Sequence, residues 1–362
     1  MSIKNIFGQI TSFENLLNAE KEVGSGKKGD HREILLFRED LENNLLFLRD
    51  CMRSLSLPKA QFNVFYVYEP KVRKVIDIDY QNKVIQRALY DVVNPLVCKG
   101  FIYDTYSCVK EKGQIEAMKR LHRWEQQVSR MPGDGYYLKL DITKFFYRIP
   151  HDIMCKIVDN KIGDKRAASL IKHYINEQDM PFGLPLGADP QTIPLDEMLW
   201  DRGIPIGGGL SHMLANMILD GLDQYCKRSL RIHYYIRYMD DVIILSDSKS
   251  QRHDWKAEIV NYLSRLGLIL NNKTAIRPIS QGVEFVGFRI WPTHVTIRKS
   301  TSLRMKRRLK VVQKQYANYN ISLKKASETV NSYKALMKHC NCHNLNKKIF
   351  GDFVLTHDKE KM

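Results

Sequence analysis

The sequence predicts an α+β fold in which an antiparallel sheet is backed by helices. Residues 62–68, 137–142 and 232–246 have the length and the β-branched or aromatic composition of strands, and the last run reads as two strands about a tight turn. The segments between them carry apolar residues at helical spacing. With 362 residues, 44% of them hydrophobic, the chain suits two or three subdomains around a shared cleft.

The other segments are assigned in chain order. Helices are predicted at residues 13–20 and 38–55, in an N-terminal extension, and at residues 79–94. Residues 181–205 are rich in Pro and Gly and are predicted to form an irregular insertion. Further helices are predicted at 210–228 and 255–266, one strand at 283–290, and helix throughout the chain beyond residue 300.

The charge balance indicates a polyanionic partner. There are 57 Lys and Arg against 40 Asp and Glu, a net charge of +17 that is typical of nucleic-acid-binding proteins, although a generally basic protein is the alternative. Residues 295–349 alone hold fourteen Lys and Arg and one acid, a net +13. Apolar residues interleave with these cations, which predicts amphipathic helices whose basic face contacts phosphates. The candidates at the start of this segment are Arg298, Lys299, Arg304, Arg307 and Arg308.

Composition also bears on the compartment. No stretch of 18 uncharged apolar residues occurs and the start of the chain lacks the apolar run of a signal peptide, so no membrane partner is expected. The seven cysteines have no framework spacing, which favours reduced thiols in a cytoplasmic protein. His339, Cys340, Cys342 and His343 are crowded, but their spacing is not that of a zinc site, and a polar helix end near nucleic acid is favoured.

Two adjacent acids, Asp240 and Asp241, lie between apolar, β-branched runs in residues 234–246 (YYIRYMDDVIILS). Like charges at a hairpin tip repel each other, and a divalent cation would remove that cost. An isolated Asp-Asp pair is more often a solvated turn. A third acid, Asp141, follows the strand that opens residues 138–149 (LKLDITKFFYRI), and it favours the functional interpretation.

If the two strands lie side by side, Asp141, Asp240 and Asp241 meet at one place. Three such carboxylates can hold two Mg²⁺ ions, with Mn²⁺ as a substitute, in a phosphoryl-transfer site. One ion would lower the pKa of an attacking hydroxyl and the other would neutralise a departing pyrophosphate. The three aspartates are therefore the predicted catalytic and metal-binding residues.

Five motifs resemble those of bacterial reverse transcriptases and follow that family's order. They are residues 141–146 (DITKFF), 203–216 (GIPIGGGLSHMLAN), 238–241 (YMDD), 266–274 (LGLILNNKT) and 285–290 (FVGFRI). Each motif alone is weak evidence, whereas five in order between residues 62 and about 345 are specific. The resemblance implies an RNA-directed DNA polymerase with a right-hand fold, which binds dNTPs, a template RNA and an RNA–DNA hybrid.

The resemblance also implies a division of the chain. An N-terminal helical extension at 1–60 would be followed by fingers at 61–135 and 150–200, a palm at 136–149 and 201–293, a basic helical thumb at 294–350 and a tail at 351–362. Because an RNA–DNA hybrid is A-like, the thumb would recognise its wide minor groove by shape.

Family positions imply further site residues. Ile142 would join the aspartates at the metals, and Phe146 would form the wall under the sugar that excludes a 2′-hydroxyl, although Phe145 beside it leaves the register open. Arg237 either reaches a phosphate or pairs with an acid. The nucleotide-binding positions are Lys71, Arg73, Phe145, Phe146, Ile206, Gly207 and Lys273. The primer and template positions are Tyr238, Met239, Phe285 and Gly287, together with the basic residues of the thumb.

Within the family, four segments resemble the enzymes of diversity-generating retroelements: residues 10–19 (ITSFENLLNA), 68–73 (YEPKVR), 289–294 (RIWPTH) and 332–345 (SYKALMKHCNCHNL). These bacterial or phage-encoded enzymes copy a template RNA into cDNA with errors at adenines. Their partners are a small basic accessory protein, alone or as an oligomer, and a structured RNA. Two departures bear on adenine specificity: Ser211-His212 replaces the usual Ser-Gln, and the insertion at 181–202 is long.

Other functions remain open at this point. Related enzymes in phage defence share the same core, and a template-independent or protein-primed nucleotidyl transferase would use the same metal site. The third alternative is a catalytically silent RNA-binding scaffold, against which the presence of all three carboxylates argues. The sequence of the product would separate templated from untemplated synthesis.

Overall fold

The computed structural model describes residues 2–25, 32–67, 73–133, 135–176, 179–272 and 274–357, apart from the side chains of Arg73, Lys249 and Ser250. Within these ranges, helices accompany three antiparallel sheets, as the predicted α+β class requires. No helix in the described ranges is long and apolar enough to cross a bilayer.

The N-terminal helices share a core with the rest of the chain. They are α1 (Phe7–Ile10), α2 (Phe13–Val23), α3 (Arg32–Glu39) and α4 (Leu41–Ser54). Ser12 caps α2, and Asn15 Nδ2 donates to the Ala88 carbonyl of α5 (Tyr80–Cys98) at 3.0 Å. The helix predicted at 38–55 is interrupted, because α3 ends at Glu39 and α4 begins at Leu41.

An exposed hairpin follows this extension. It consists of β1 (Phe62–Val67) and β2 (Arg73–Ile78), with Phe62 opposite Ile78 in the register. Consecutive side chains from Val64 to Val67 are exposed, so both faces of β1 lie open to solvent.

A four-stranded antiparallel sheet lies at the centre of the molecule, in the order β4-β5-β3-β6. Its strands are β3 (Tyr136–Asp141), β4 (Tyr235–Tyr238), β5 (Asp241–Ser246) and β6 (Ala275–Pro278). The helices around it are α6 (Gln114–Val128), α7 (His151–Lys161), α8 (Lys165–Ile175), α9 (Gly209–Gln224) and α10 (Lys249–Arg265). A π-helical segment, Tyr225–Ser229, continues α9.

Hydrophobic cores cover both faces of this sheet. Leu138 and Ile244 join the core that contains α5, α9 and the N-terminal helices. Ile243 and Leu245 point to the opposite core, which contains α6 and the C-terminal elements. A strand buried on both faces needs apolar residues at every position, which explains the unbroken apolar run of β5.

The C-terminal part begins with a three-stranded sheet. Its strands are β7 (Val283–Phe285), β8 (Phe288–Ile290) and β9 (Val295–Ile297). The single strand predicted at 283–290 is therefore wrong. The chain reverses at Val286 and Gly287, whose φ angles are 42° and 89°, and the second of these suits a residue without a Cβ.

Three helices complete the described chain: α11 (Lys299–Ala317), α12 (Leu323–Met337) and α13 (His343–Phe350). On α11, Met305, Leu309 and Val312 are buried at helical spacing. The helix predicted beyond residue 300 is found as three separate helices, because residues 318–322, 338–342 and 351–357 are not helical.

The predicted irregular insertion forms a small unit of its own. It contains one short 3₁₀ turn, Leu195–Glu197, and a local cluster of Leu184, Ile193 and Met198. Gly183 and Leu199 exchange backbone hydrogen bonds, which closes the loop at its base. The Phe182 ring packs edge-on against Phe62 of β1 with 5.7 Å between centroids.

Glu125 of α6 is a buried acid whose two carboxylate oxygens have no hydrogen-bond partner among the described residues. Burial raises its pKa from an ordinary value of 4.5 to about 9. The folded protein therefore holds a proton between these pH values that the unfolded chain has released, and stability falls as the pH rises through that window.

We expect Glu125→Gln to remove this pH dependence. The melting temperature of the variant should exceed that of the wild type by more at pH 8 than at pH 5, as measured by circular dichroism. Glu116→Gln, on the exposed face of the same helix beside Lys119, is the control and should follow the wild type. Parallel pH profiles for wild type and Glu125→Gln would contradict the assignment.

Candidate active site

The sheet register brings the three predicted aspartates together. Asp141 ends β3 and stands directly opposite Asp241, the first residue of β5. Asp240 lies in the two-residue turn that joins β4 to β5, next to Met239, whose φ of 57° places it in the left-handed region. The three aspartates therefore lie at the same end of the sheet.

This cluster is electrostatically strained. Burial, followed by the charges of Asp141 and Asp241, raises the pKa of Asp240 to about 6. Burial also raises the pKa of Asp241, and Lys139 opposes that rise. The Lys139 ammonium lies 3.0 Å from Asp241 Oδ2, whereas the buried Asp241 Oδ1 has no partner in the described part of the chain. A bound cation would relieve this strain.

Asp141 is held by Asn271 in the segment before β6. The Asn271 side-chain amide donates to Asp141 Oδ2 at 3.0 Å, and its backbone N–H donates to the Asp141 carbonyl at 2.7 Å. Ile142 continues this contact through a backbone bridge to Leu270. The position of the first aspartate is therefore fixed from both the main chain and the side chain.

The side-chain donors suit a hard divalent cation, because they are carboxylate oxygens and one of them, Asp241 Oδ1, is buried without a partner among the described residues. Within the described ranges, no three Asp, Glu, His or Cys side chains already converge as a metal-binding group. Two of the carboxylates have an oxygen engaged elsewhere, by Lys139 and by Asn271.

Arg237 lies on β4 and supports the β4–β5 hairpin through buried contacts. It is fully buried and forms an ion pair with the equally buried Asp223 of α9, with Nη2 to Oδ2 at 2.7 Å. Its Nη1 donates to Asn216 Oδ1 at 2.9 Å and to the Met239 carbonyl at 3.0 Å. Of the two roles open for Arg237 in the sequence, the structure therefore supports pairing with an acid.

Asp223 has further partners. It accepts hydrogen bonds from the Tyr235 hydroxyl at 2.6 Å and from Thr105 Oγ1 at 2.9 Å. The backbone on both sides of Thr105 also pairs with Arg237, since Arg237 N–H donates to the Asp104 carbonyl and Tyr106 N–H donates to the Arg237 carbonyl. The network ties α9, β4, the segment around Thr105 and the catalytic turn into one unit.

Two of the candidate nucleotide residues, Phe145 and Phe146, follow Asp141 closely in sequence and differ in exposure. Phe145 is 2% exposed and belongs to the core, whereas Phe146 is half-buried and packs edge-on against His212 at 5.7 Å. The carbonyl of Phe146 accepts a hydrogen bond from Ile204 N–H, which brings the turn before α9 close to this ring. Of the two, Phe146 is thus the more exposed residue.

Ile206 and Gly207 lie in that turn. Ile206 is half-buried, and Gly207 is exposed with a φ of 118° and open space where a Cβ would project. Lys71 and Lys273 lie outside the described residues, and Arg73 begins β2 with an undescribed side chain. Their predicted contacts with a nucleotide stay predictions.

Of the candidate primer residues, Phe285 is buried at 1% exposure and supports the β7–β8 turn from inside. Gly287 at the turn accepts a hydrogen bond through its carbonyl from Arg298 N–H at 3.0 Å. Tyr238 pairs with Asp241 across the catalytic hairpin, while Met239 is 8% exposed. On α11, Lys299, Arg304 and Arg307 are exposed and Arg308 is half-buried, and Arg298, which precedes the helix, is also half-buried.

The crowded Cys and His residues near the C-terminus pack against β9. Asn341 N–H donates to the Val295 carbonyl at 2.7 Å, and the Cys340 and Cys342 sulfurs lie 3.1 Å apart. They belong to no metal-binding group in the part of the chain that the structure describes.

Sequence reasoning did not identify Lys139, Asn271 or the acid that pairs with Arg237. The position of Lys139 was a usable signal. Successive side chains of a strand point to opposite faces, so a residue two positions before Asp141 lies on the same face as Asp141. Asn271 lies in the segment from which Lys273 was chosen. No local signal marked Asp223, which lies on a different element.

The reverse transcriptase family is identified by comparison with known proteins. The family model described as reverse transcriptase (RNA-dependent DNA polymerase) matches residues 58–290, well over half of the chain, so the protein belongs to this family. The match contains the three aspartates and the network around Arg237.

Individual relatives are distant. The chain is 23% identical to protein YkfC of Escherichia coli over 58% of its own length and 61% of that protein. It is 20% identical to the COX1/OXI3 intron 2 protein of Saccharomyces cerevisiae over 70% of its length and 33% of that protein. It thus spans less than two thirds of either relative. The apo telomerase of Candida tropicalis superposes with a TM-score of 0.49 and 12% identity, over 74% of this chain and 56% of that chain.

We expect Arg237→Met to destabilise the protein strongly. Removing one partner of a buried ion pair leaves an uncompensated charge on Asp223, which costs about 3–5 kcal/mol. Urea unfolding would measure the loss. Arg202→Met removes an exposed pair with Asp201 and should cost less than about 1 kcal/mol. Similar losses in the two variants would contradict the role given to Arg237.

Proposed function

We propose that this protein is an RNA-directed DNA polymerase that makes cDNA on a template RNA by two-metal nucleotidyl transfer. The observation that carries the proposal is the register of the central sheet, which sets Asp141 opposite Asp241 with Asp240 in the adjoining turn. Family membership supports the same reaction.

The three aspartates and the backbone of Ile142 would hold two Mg²⁺ ions, or Mn²⁺ in their place. When bound, the ions supply an activated primer 3′-hydroxyl and charge stabilisation at the leaving pyrophosphate. Asn271 would hold Asp141 in position, and Arg237 would fix the turn that carries Asp240. Phe146 would lie against the sugar, with Ile206 and Gly207 beside the nascent base pair.

The regions of the chain would correspond to a right hand. The β1–β2 hairpin, α5, α6 and residues 150–200 would belong to the fingers. The four-stranded sheet, with the rest of residues 136–149 and 201–293, would form the palm, and α11–α13 the thumb. Support for the last assignment comes from α11, whose buried face packs on the body while Arg304 and Arg307 are exposed. These cations would contact the phosphates of an RNA–DNA hybrid.

We further propose that the enzyme acts in a diversity-generating retroelement, where its cDNA carries errors opposite template adenines. This rests on the four segments that resemble that group. A small basic accessory protein and a structured RNA would then be partners, and the chain would act in the cytoplasm of a bacterium. Sequencing cDNA made on a template of known sequence tests the subtype, and mismatches spread evenly over all four bases would exclude it.

Asp240→Asn and Asp241→Asn should abolish primer extension on an RNA template with dNTPs and Mg²⁺. Losing a metal ligand removes several kcal/mol of transition-state stabilisation, which corresponds to about a thousandfold loss of rate. Asp247→Asn, at the exposed position just after β5, is the matched control and should retain activity. Extension that survives in either active-site variant would contradict the proposed metal site.

Phe146→Val should increase the use of ribonucleotides. Removing the ring opens space for a 2′-hydroxyl, so the ratio of rNTP to dNTP kcat/KM should rise about tenfold or more. Single-nucleotide incorporation kinetics measure this ratio, and retained dNTP incorporation shows that the variant is folded. An unchanged ratio would remove Phe146 from the sugar-binding role.

A further inference from the structure

Lys139 has no role in the proposed reaction, although its charged group contacts one of the three aspartates, Asp241. It lies on β3, two residues before Asp141 and on the same face of the strand. Its side chain is 26% exposed, and its ammonium stands 3.0 Å from Asp241 Oδ2. A cation thus already occupies one oxygen of a predicted metal ligand.

The same ammonium has a second partner. Lys139 Nζ donates to the Glu284 carbonyl of β7 at 2.7 Å. The Glu284 side chain lies 4.0 Å from Arg298, at the start of α11. Lys139 therefore connects Asp241 to the β7–β8 hairpin, and this second contact would keep the ammonium nearby if it left the carboxylate.

The other groups around Asp241 explain why a cation is needed here. Asp141 faces it across the sheet and Asp240 precedes it in the turn, so three carboxylates repel one another. Asp241 Oδ1 is buried and without a partner in the described ranges, which leaves Lys139 to balance the charge through Oδ2. Arg298 contributes only at longer range.

We infer that Lys139 is a displaceable counter-ion and positioning residue: it neutralises Asp241 in the metal-free protein and gives up that carboxylate when a divalent cation binds. This rests on the proposed metal site. The ammonium and the metal compete for the same oxygen, so Lys139 weakens metal binding to the free enzyme. Its hydrogen bond to the Glu284 carbonyl is retained in both states.

Mn²⁺ binding to the free protein, followed by electron paramagnetic resonance of the unbound ion, tests this without any turnover. Lys139→Met should lower the Kd for Mn²⁺ by about two- to fivefold, the scale of a partly exposed ion pair. Lys139→Arg keeps the charge and should bind like the wild type. Lys161→Met removes another partly buried Lys–Asp pair, with Asp220, and should also leave the Kd unchanged.

The outcomes separate this inference from the proposed function. If Lys139→Met binds Mn²⁺ with unchanged or weaker affinity, Lys139 only stabilises the fold and the inference is overturned. The metal site itself is overturned if the wild type binds no Mn²⁺, or if Asp240→Asn and Asp241→Asn bind Mn²⁺ as well as the wild type does. Should Lys139→Met fail to fold, Lys139→Gln keeps a donor for the Glu284 carbonyl without the charge, and the same decrease in Kd is required of it.

Discussion

The buried ion pair between Arg237 and Asp223 is the interaction on which the catalytic end of the sheet depends. A guanidinium in a protein interior needs acceptors for its N–H groups. Asp223, Asn216 and the Met239 carbonyl accept hydrogen bonds from Arg237. Because Met239 is the residue before Asp240, one arginine fixes the turn that holds Asp240 and leads into Asp241. Its partners come from α9 and from the turn itself, so the site is assembled by tertiary contacts.

The central part of this arrangement could be predicted from sequence. Two apolar strands that each have an acid at one end can pair in only a few registers. In the structure, β3 and β5 pair in the register that places Asp141 opposite Asp241. The hairpin at 283–290 was not predicted, because three residues on each side of the Val286–Gly287 turn are too few to distinguish two short strands from one longer strand.

The contacts of charged side chains were the least predictable part. Nothing local in the sequence distinguishes Arg237, which is fully buried, from the exposed Arg304 of α11. The partner of Arg237 lies fourteen residues earlier on a different element, so its role depends on how α9 packs under β4. Asn271 was missed for the same reason, since it acts across two elements. Lys139 shares a strand face with Asp141, which was a local signal, but its partner Asp241 lies on the neighbouring strand.

The segment at 181–202 is organised differently from the sheet. Leu184, Ile193 and Met198 form their own cluster, and the backbone pairing of Gly183 with Leu199 closes the loop where it leaves the body. Residues of β5, by contrast, contribute to the cores on both faces of the sheet. Over evolutionary time, insertions and deletions can therefore accumulate in this segment while the length of the catalytic strands is held constant. This chain could lengthen or shorten at the loop without rebuilding the strands that hold Asp141 and Asp241.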